Sequence, residues 1–380
     1  MALDGKIQKK KIPLSSPDIS QSEEEKVLEV LRTRHLSQGP KIEDFEKSIS
    51  EYINIPYVIG VNSGTSALHL IVRSLGLKEG DEVITTPFSF IASSNCLLME
   101  KVKPVFVDID PKTYNLNPSL IEDKINPKTK AILVVHIFGH PADMNPIYEI
   151  AEKHGLKVIE DACEAIGAEY HGEKVGRKSD AATFAFYPNK QITTGEGGVI
   201  VTSNPKIAEL CKSMRNQGRN VNGDWLVYER LGYNYRLDEL SAALGVAQME
   251  RIEEILEKRK SVAENYLNEL ADIPEITLPF IAKEVKMSWF TFVIKVDMDK
   301  RQKIMEFLHQ EGIDCREYFP CIHLEPFYKE MFGYKEGDFP IAEKISKETI
   351  ALPFHNNLKS EEVDYISVKL KEAIRLLKDV

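Results

Sequence analysis

The sequence predicts an α/β protein with a large domain on a mainly parallel seven-stranded sheet and a smaller α+β C-terminal domain. Three observations carry this expectation. Seven short apolar runs alternate with amphipathic stretches between residues 57 and 203. The runs are almost continuously apolar, as strands buried between two layers of helix must be. The length of 380 residues exceeds that at which a single core usually stops growing.

The runs are YVIGVNS (57–63), DEVITTP (81–87), KPVFVDI (103–109), KAILVVHI (130–137), KVIEDA (157–162), AATFAFY (181–187) and GGVIVTS (197–203). Between them, SALHLIVRSLG (66–76) and PIYEIAEKHG (146–155) carry apolar residues at spacings of three and four, the period of a helix packed on one face. Gly76 and Gly155 stop these helices, and Pro87 ends a strand. A helical stretch from about Leu237 to Ala271 leads out of the sheet domain. Beyond it come a strand, FTFVIKV (290–296), a helix near 301–311, and a closing helix near 361–378. Val363, Ile366, Leu370 and Ile374 lie along one side of that last helix. A further helix, SEEEKVLEVLR (22–32), precedes the sheet. The expected division is an N-terminal segment 1–35 packing with the small domain, a large domain 36–254, and a small domain 255–380.

Composition narrows the function classes. With 43% hydrophobic and 28% charged residues the chain has the makeup of a folded globule. A net charge of −10 argues against a nucleic-acid surface, which needs basic residues to replace phosphate counterions. The basic run Lys6, Lys9, Lys10 and Lys11 reads as a solvated tail. No window approaches the run of about 18 apolar residues that spans a bilayer, and the start lacks a signal-peptide core, so a cytoplasmic location is expected. The five cysteines are scattered without CxxC spacing, which points away from a disulfide framework or a zinc site.

Ligands of open α/β sheets sit beyond the carboxyl ends of the strands. Three segments place reactive groups there. In NSGTSALHL (62–70) a strand enters a helix through Ser63, Gly64 and Thr65; small residues and unpaired first-turn amides suit an anion, although the same residues serve as an ordinary helix cap. In VIEDACEAIGA (158–168) Asp161 ends an apolar strand, where a carboxylate must be capped or paired. In FYPNKQITTGEGG (186–198) Lys190 stands on a glycine-rich loop between two buried strands. Together they supply a phosphate cradle, an acid for a pyridinium nitrogen and an amine able to form a Schiff base, the protein parts that pyridoxal 5′-phosphate (PLP) chemistry requires. His136 and His140 lie at a strand end with Gly139 and Pro141 beside them rather than on one helix face, so no metal site is expected. Glu160 and Asp161 are adjacent on a strand and point to opposite faces, unlike a glycosidase pair.

With LSQGPKIEDFE (36–46), GDEVITTPFSFIASSN (80–95), PVFVDID (104–110), HIFGHPADM (136–144) and GYNYRLDELSAALGVAQ (232–248), these segments resemble the DegT/DnrJ/EryC1/StrS family of sugar aminotransferases over nearly the whole chain. The resemblance implies the aspartate-aminotransferase-like fold (PLP fold type I), glutamate as amino donor, and a homodimer with shared active sites. By motif, it makes Lys190 the cofactor-linked lysine and Asp161 the partner of the pyridine nitrogen. Phe90 becomes the aromatic stacked on the ring, with Phe88 as second choice. Ser63, Gly64 and Thr65 fall in the phosphate turn, Glu164 near the O3′ oxygen, and Asn234 is the residue reaching the partner subunit's phosphate. Two positions depart from the pattern. Ala185 stands where a phosphate-binding serine is common, and Arg215-Asn216-Gln217-Gly218 lacks the histidine of the family's R-x-H-G.

Within the family the chain looks most like the perosamine-synthase branch, which aminates C4 of a GDP-linked 4-keto-6-deoxysugar. Glu164, the GHPADM phrase, and Arg316 with His323 in CREYFPCIH (315–323) carry that likeness, and the two last residues are expected to bind the sugar nucleotide. Alternatives are a UDP-linked keto-sugar, a cyclitol ketone, and a PLP-binding regulator without turnover. The family's dehydratases carry histidine at the lysine position, so Lys190 argues against that chemistry.

Overall fold

The computed structural model describes residues 11–220 and 226–377; Lys6, Lys9 and Lys10 of the basic run lie outside them. Among the described residues twelve strands are present: β1 (Tyr57–Val61), β2 (Glu82–Thr85), β3 (Lys103–Phe106), β4 (Thr129–Val135), β5 (Lys157–Asp161), β6 (Glu169–Tyr170), β7 (Glu173–Lys174), β8 (Ala181–Ala185), β9 (Gly198–Thr202), β10 (Val285–Lys286), β11 (Phe292–Lys295) and β12 (Thr349–Leu352). The helices are α1 (Gln21–Thr33), α2 (Pro40–Ile53), α3 (Gly64–Ser74), α4 (Ala92–Leu98), α5 (Met144–His154), α6 (Pro205–Arg215), α7 (Glu239–Glu250), α8 (Ile252–Leu270), α9 (Met298–Gln310), α10 (Pro326–Phe332), α11 (Pro340–Glu348) and α12 (Ser360–Leu376).

Each of the seven apolar runs forms one strand of a seven-stranded sheet, in the order β1-β9-β8-β5-β4-β2-β3. The pairs from β8 through to β3 are parallel, while β9 runs antiparallel to both β1 and β8. Alternation along the strands feeds two cores. Ile59, Val83, Leu133 and Ile159 pack with Leu68 and Ile71 of α3 on one face. Val58, Phe184 and Val201 face the other side with Phe45 and Ile49 of α2.

The small domain holds its own core where β11 and β12 pair and α8, α9 and α12 cover them, with Tyr266, Phe292, Leu352 and Ile366 fully buried. Residues near the N-terminus join it: Ile12 pairs with Ile313, and the Phe354 N–H donates to the Leu14 carbonyl at 2.8 Å. Helix α1 instead rests on α7, where Gln248 donates to Glu23 at 2.8 Å.

Two features depart from the expected layout. The stretch from Leu237 to Ala271 is two helices, because Arg251 leaves helical geometry at φ −113°. Helices α10 and α11, far along the chain, pack into the large domain's core through Tyr328, Phe339, Ala342 and Ile345. Asp108 caps α11 by accepting from the Ile341 and Ala342 amides, both at 2.9 Å.

The sheet gathers its chemistry at one edge. The carboxyl ends of β1, β2, β4, β5 and β8 open onto the same space, joined by the first residues of reversed β9. Gly198 lets the end of β1 come close: a Cβ there would sit 2.6 Å from the Ser63 carbonyl.

Candidate active site

Beyond that edge lies a cavity of about 570 Å³. Ser63, Gly64, Thr65, Phe90, Asp161, Glu164 and Lys190 all line it.

Ser63 caps α3, accepting from the Ser66 amide at 3.1 Å, and Gly64 and Thr65 line the cavity as the first residues of this 11-residue helix, where backbone amides have no intrahelical partner. Such amides, with the helix dipole behind them, favour an anion. Gly64 is required by space. A Cβ on it would lie 2.8 Å from both the Ala185 Cβ and the Cys163 Sγ.

Asp161 ends β5, and its carboxylate is fixed at both oxygens. Oδ2 accepts from the Ser93 hydroxyl at 2.6 Å, and Oδ1 accepts from the Cys163 amide at 3.1 Å. Ser93 is itself 2.8 Å from the Ser89 hydroxyl. A buried carboxylate held in this way keeps one orientation and remains an acceptor for a protonated ring nitrogen. Phe90 is 60% exposed, unusual for so large an apolar side chain, and its ring borders the cavity. Phe88 instead is fully buried against Tyr114, Phe138 and Phe319.

The Lys190 Nζ stands 3.5 Å from Glu164 Oε1 and 4.0 Å from the centre of the Phe290 ring. Burial raises the Glu164 carboxyl above its ordinary value; the Lys190 charge and a 2.9 Å hydrogen bond from the Phe138 amide pull it the other way. Burial likewise raises the Cys163 thiol, with the Asp161 charge adding to it, so Cys163 is a neutral wall of the cavity.

These parts fit PLP: amides for its phosphate, an aromatic for its ring, an oriented carboxylate for its nitrogen, and an amine for its aldehyde. Ala185 lines the site and offers no hydroxyl to a phosphate.

Three expected residues stand elsewhere. Asn234 is exposed, outside the cavity lining, and pairs through its backbone with Asn216. Arg316 is exposed beside Glu317, which does line the cavity, and its guanidinium lies 3.8 Å from Asp314. His323 is a correction. Its ring is fully buried, 3.1 Å from Glu343 and against Phe339 and Tyr334, because residues 322–324 turn the chain into the core. What this segment gives the cavity is Glu317, Tyr318, Phe319 and Pro320.

Ser93, Cys163, Asn189, Phe290 and Tyr318 also line the cavity and were not singled out from the sequence. Ser93 carried a usable signal, lying three residues after Phe90 in FSFIASSN at the start of a helix. Outside the site, His136 bridges the Glu160 carboxylate at 2.8 Å and the Ala142 amide at 3.0 Å, as a packed core histidine does.

Comparison with known proteins agrees with this geometry. The model of the DegT/DnrJ/EryC1/StrS aminotransferase family matches residues 17–371. A GDP-perosamine synthase of Caulobacter vibrioides is 36% identical, with 96% of this chain and 98% of that protein covered. A dTDP-3-amino-3,4,6-trideoxy-alpha-D-glucose transaminase of Streptomyces venezuelae is also 36% identical, with 88% and 87% covered. The structure of Helicobacter pylori PseC, an aminotransferase involved in the biosynthesis of pseudoaminic acid, superposes with a TM-score of 0.92 at 30% identity, covering 96% of this chain and 100% of that one. The fold is therefore PLP fold type I, and the chain belongs to the DegT/DnrJ/EryC1/StrS family as a PLP-dependent sugar aminotransferase.

Proposed function

We propose that this enzyme moves an amino group from glutamate to C4 of a GDP-linked 4-keto-6-deoxysugar, in the manner of a GDP-perosamine synthase. The observation that carries the chemistry is Lys190 Nζ, held between Glu164 and Phe290 in a cavity that also contains the clamped Asp161 carboxylate. The GDP sugar is supported by Glu164, the GHPADM phrase and the 36% identity to a GDP-perosamine synthase. A keto-sugar on another nucleotide is the second reading, favoured by equal identity to a transaminase named for a dTDP sugar.

When bound, PLP supplies an electron sink for the carbanion formed at the donor's Cα. The chain's residues do the rest. The Gly64 and Thr65 amides would hold the cofactor's phosphate and Phe90 would pack on its ring. Asp161 would hold a proton on the ring nitrogen, with Ser93 keeping that carboxylate aimed. The amine of Lys190 would move the proton from the donor's Cα to the cofactor's C4′ carbon and, in the second half-reaction, from C4′ to the sugar's C4. Glu164 lies beside Lys190 and serves the cofactor's O3′ oxygen. Arg316, exposed beside Glu317, is suited to the nucleotide diphosphate by its guanidinium fork.

The same reading makes the enzyme a homodimer, with the exposed Asn234 reaching the partner's cofactor phosphate. A cytoplasmic setting accords with five free cysteines. Among the described residues no helix is long and apolar enough to cross a membrane.

The test is a panel of GDP-, UDP- and dTDP-linked keto-sugars incubated with enzyme, PLP and glutamate, with product read by mass and Lys190→Ala as control. Lys190-dependent amination of the GDP-linked 4-keto-6-deoxysugar is the expected result. Turnover confined to another nucleotide, or to a cyclitol ketone, would overturn the substrate assignment.

A further inference from the structure

Residues 288–290 cross the cavity's edge tied down on several sides. The Ser288 amide donates to the Gly139 carbonyl and the Phe290 amide to the Phe138 carbonyl, both at 3.2 Å. Gln191, the residue after Lys190, donates from Nε2 to the Ser288 hydroxyl at 2.9 Å and to the Glu164 carbonyl at 2.6 Å. From the other side Arg259 of α8 donates through Nε to the Trp289 carbonyl and through a terminal nitrogen to the Phe290 carbonyl, both at 2.7 Å. The segment so held presents the Phe290 ring to Lys190 Nζ at 4.0 Å.

Arg259 is only 2% exposed. Its third hydrogen bond goes to Asn356 Oδ1 at 2.9 Å, and it lies over the Phe354 ring at 4.9 Å. All three acceptors are neutral oxygens. Burial lowers its pKa to about 9, which leaves it charged at neutral pH. Its three hydrogen bonds satisfy buried oxygens, two of them the carbonyls directly behind Phe290, so the guanidinium ties this segment to α8.

We propose that Arg259 is a positioning residue for amino transfer, fixing the Phe290 ring under the Lys190 amine through the carbonyls of Trp289 and Phe290. The Glu164 carboxylate at 3.5 Å and the Phe290 ring at 4.0 Å both attract Nζ, which favours one position for the amine in the cavity. This rests on the role of Lys190 proposed above. A cation over an aromatic face is favoured by roughly 2- to 30-fold in population.

Wild-type enzyme is compared with Arg259→Met, Phe290→Leu and the double variant. Each single change should lower kcat by on the order of tenfold with both KM values within about twofold. The double variant should be no slower than Phe290→Leu, because both changes break one linkage. Phe290→Tyr, which keeps a ring face, should restore kcat. In cofactor-free protein, the rate of PLP incorporation followed by absorbance should fall in the same order. Multiplying losses in the double variant, or wild-type kcat in Phe290→Leu, would overturn the proposal. If Arg259→Met does not fold, Arg259→Lys, which keeps the charge and loses the fork, replaces it under the same criteria. Covalent PLP incorporation by Lys190→Ala would instead defeat the parent reading, so the two failures are distinguishable.

Discussion

Adding one methyl group at Gly64 tests the proposed phosphate turn at its tightest point. The Cβ of Gly64→Ala would meet the Ala185 Cβ and the Cys163 Sγ at 2.8 Å, against an ordinary contact of 3.4 Å or more, so the turn must shift by about 0.6 Å. Ala185 ends β8 in the packed sheet and Cys163 stands in the turn directly after β5, so the start of α3 is what moves. Overpacking of this kind costs about 1–3 kcal/mol. If the displacement falls on the amides that face the phosphate, Kd for PLP rises by about 5- to 150-fold. Titration of cofactor-free protein with PLP, followed by absorbance, reads this directly, and the melting temperature with and without PLP gives a second reading. Ala185→Gly added to Gly64→Ala removes one of the two collisions and should recover part of the affinity. Gly64→Ala binding PLP within about twofold of wild type, or a double variant with no recovery, would refute the placement of the phosphate at this turn.

Two other changes probe different links. Ser93→Ala removes the 2.6 Å bond to Asp161; hydrogen bonds to charged groups are worth about 1.5–3 kcal/mol, so kcat should fall by at least tenfold while PLP is retained, and Asp161→Ala should fall further. A Ser93→Ala enzyme of full kcat would show that the carboxylate needs no clamp. In the core, burial pushes the Glu160 carboxyl up, yet hydrogen bonds from His136 and the Gly176 amide hold it below its ordinary value. A depressed carboxyl adds stability above its unfolded pKa of about 4.3 and loses it as pH falls through the folded value. Glu160→Gln should therefore be the less stable protein at pH 6 to 7 and converge with wild type in acid, measured by urea unfolding across pH. Parallel stability curves would contradict that linkage.

The sheet was legible because each of its strands is a buried apolar run, and burial on both faces writes itself into composition. Direction was not legible throughout. Strand β9 reads like its neighbours yet runs against β1 and β8, since its reversal depends on the loop through Lys190 rather than on its own residues. The break at Arg251 escaped notice because the residues around it are good helix formers and the interruption is tied to tertiary contacts with Glu23 and Asp18. Lys190, Asp161 and the 63–65 turn stood out as motifs at strand ends. Phe290 did not, because it meets Lys190 from a segment 100 residues further along the chain; Ser93, whose bond to Asp161 spans 68 residues, was marked only by its place after Phe90 at a helix start. His323 misled for the same reason reversed: its motif suggested a ligand contact, and the turn before α10 buries it on Glu343.

In the mechanism proposed for this enzyme, the amine of Lys190 carries the cofactor. Holoenzyme reduced with borohydride, digested and mapped by mass should show the added pyridoxyl phosphate on the peptide containing Lys190, with no such label in Lys190→Ala. A label on another lysine, or an equal label in Lys190→Ala, would contradict the account at its root.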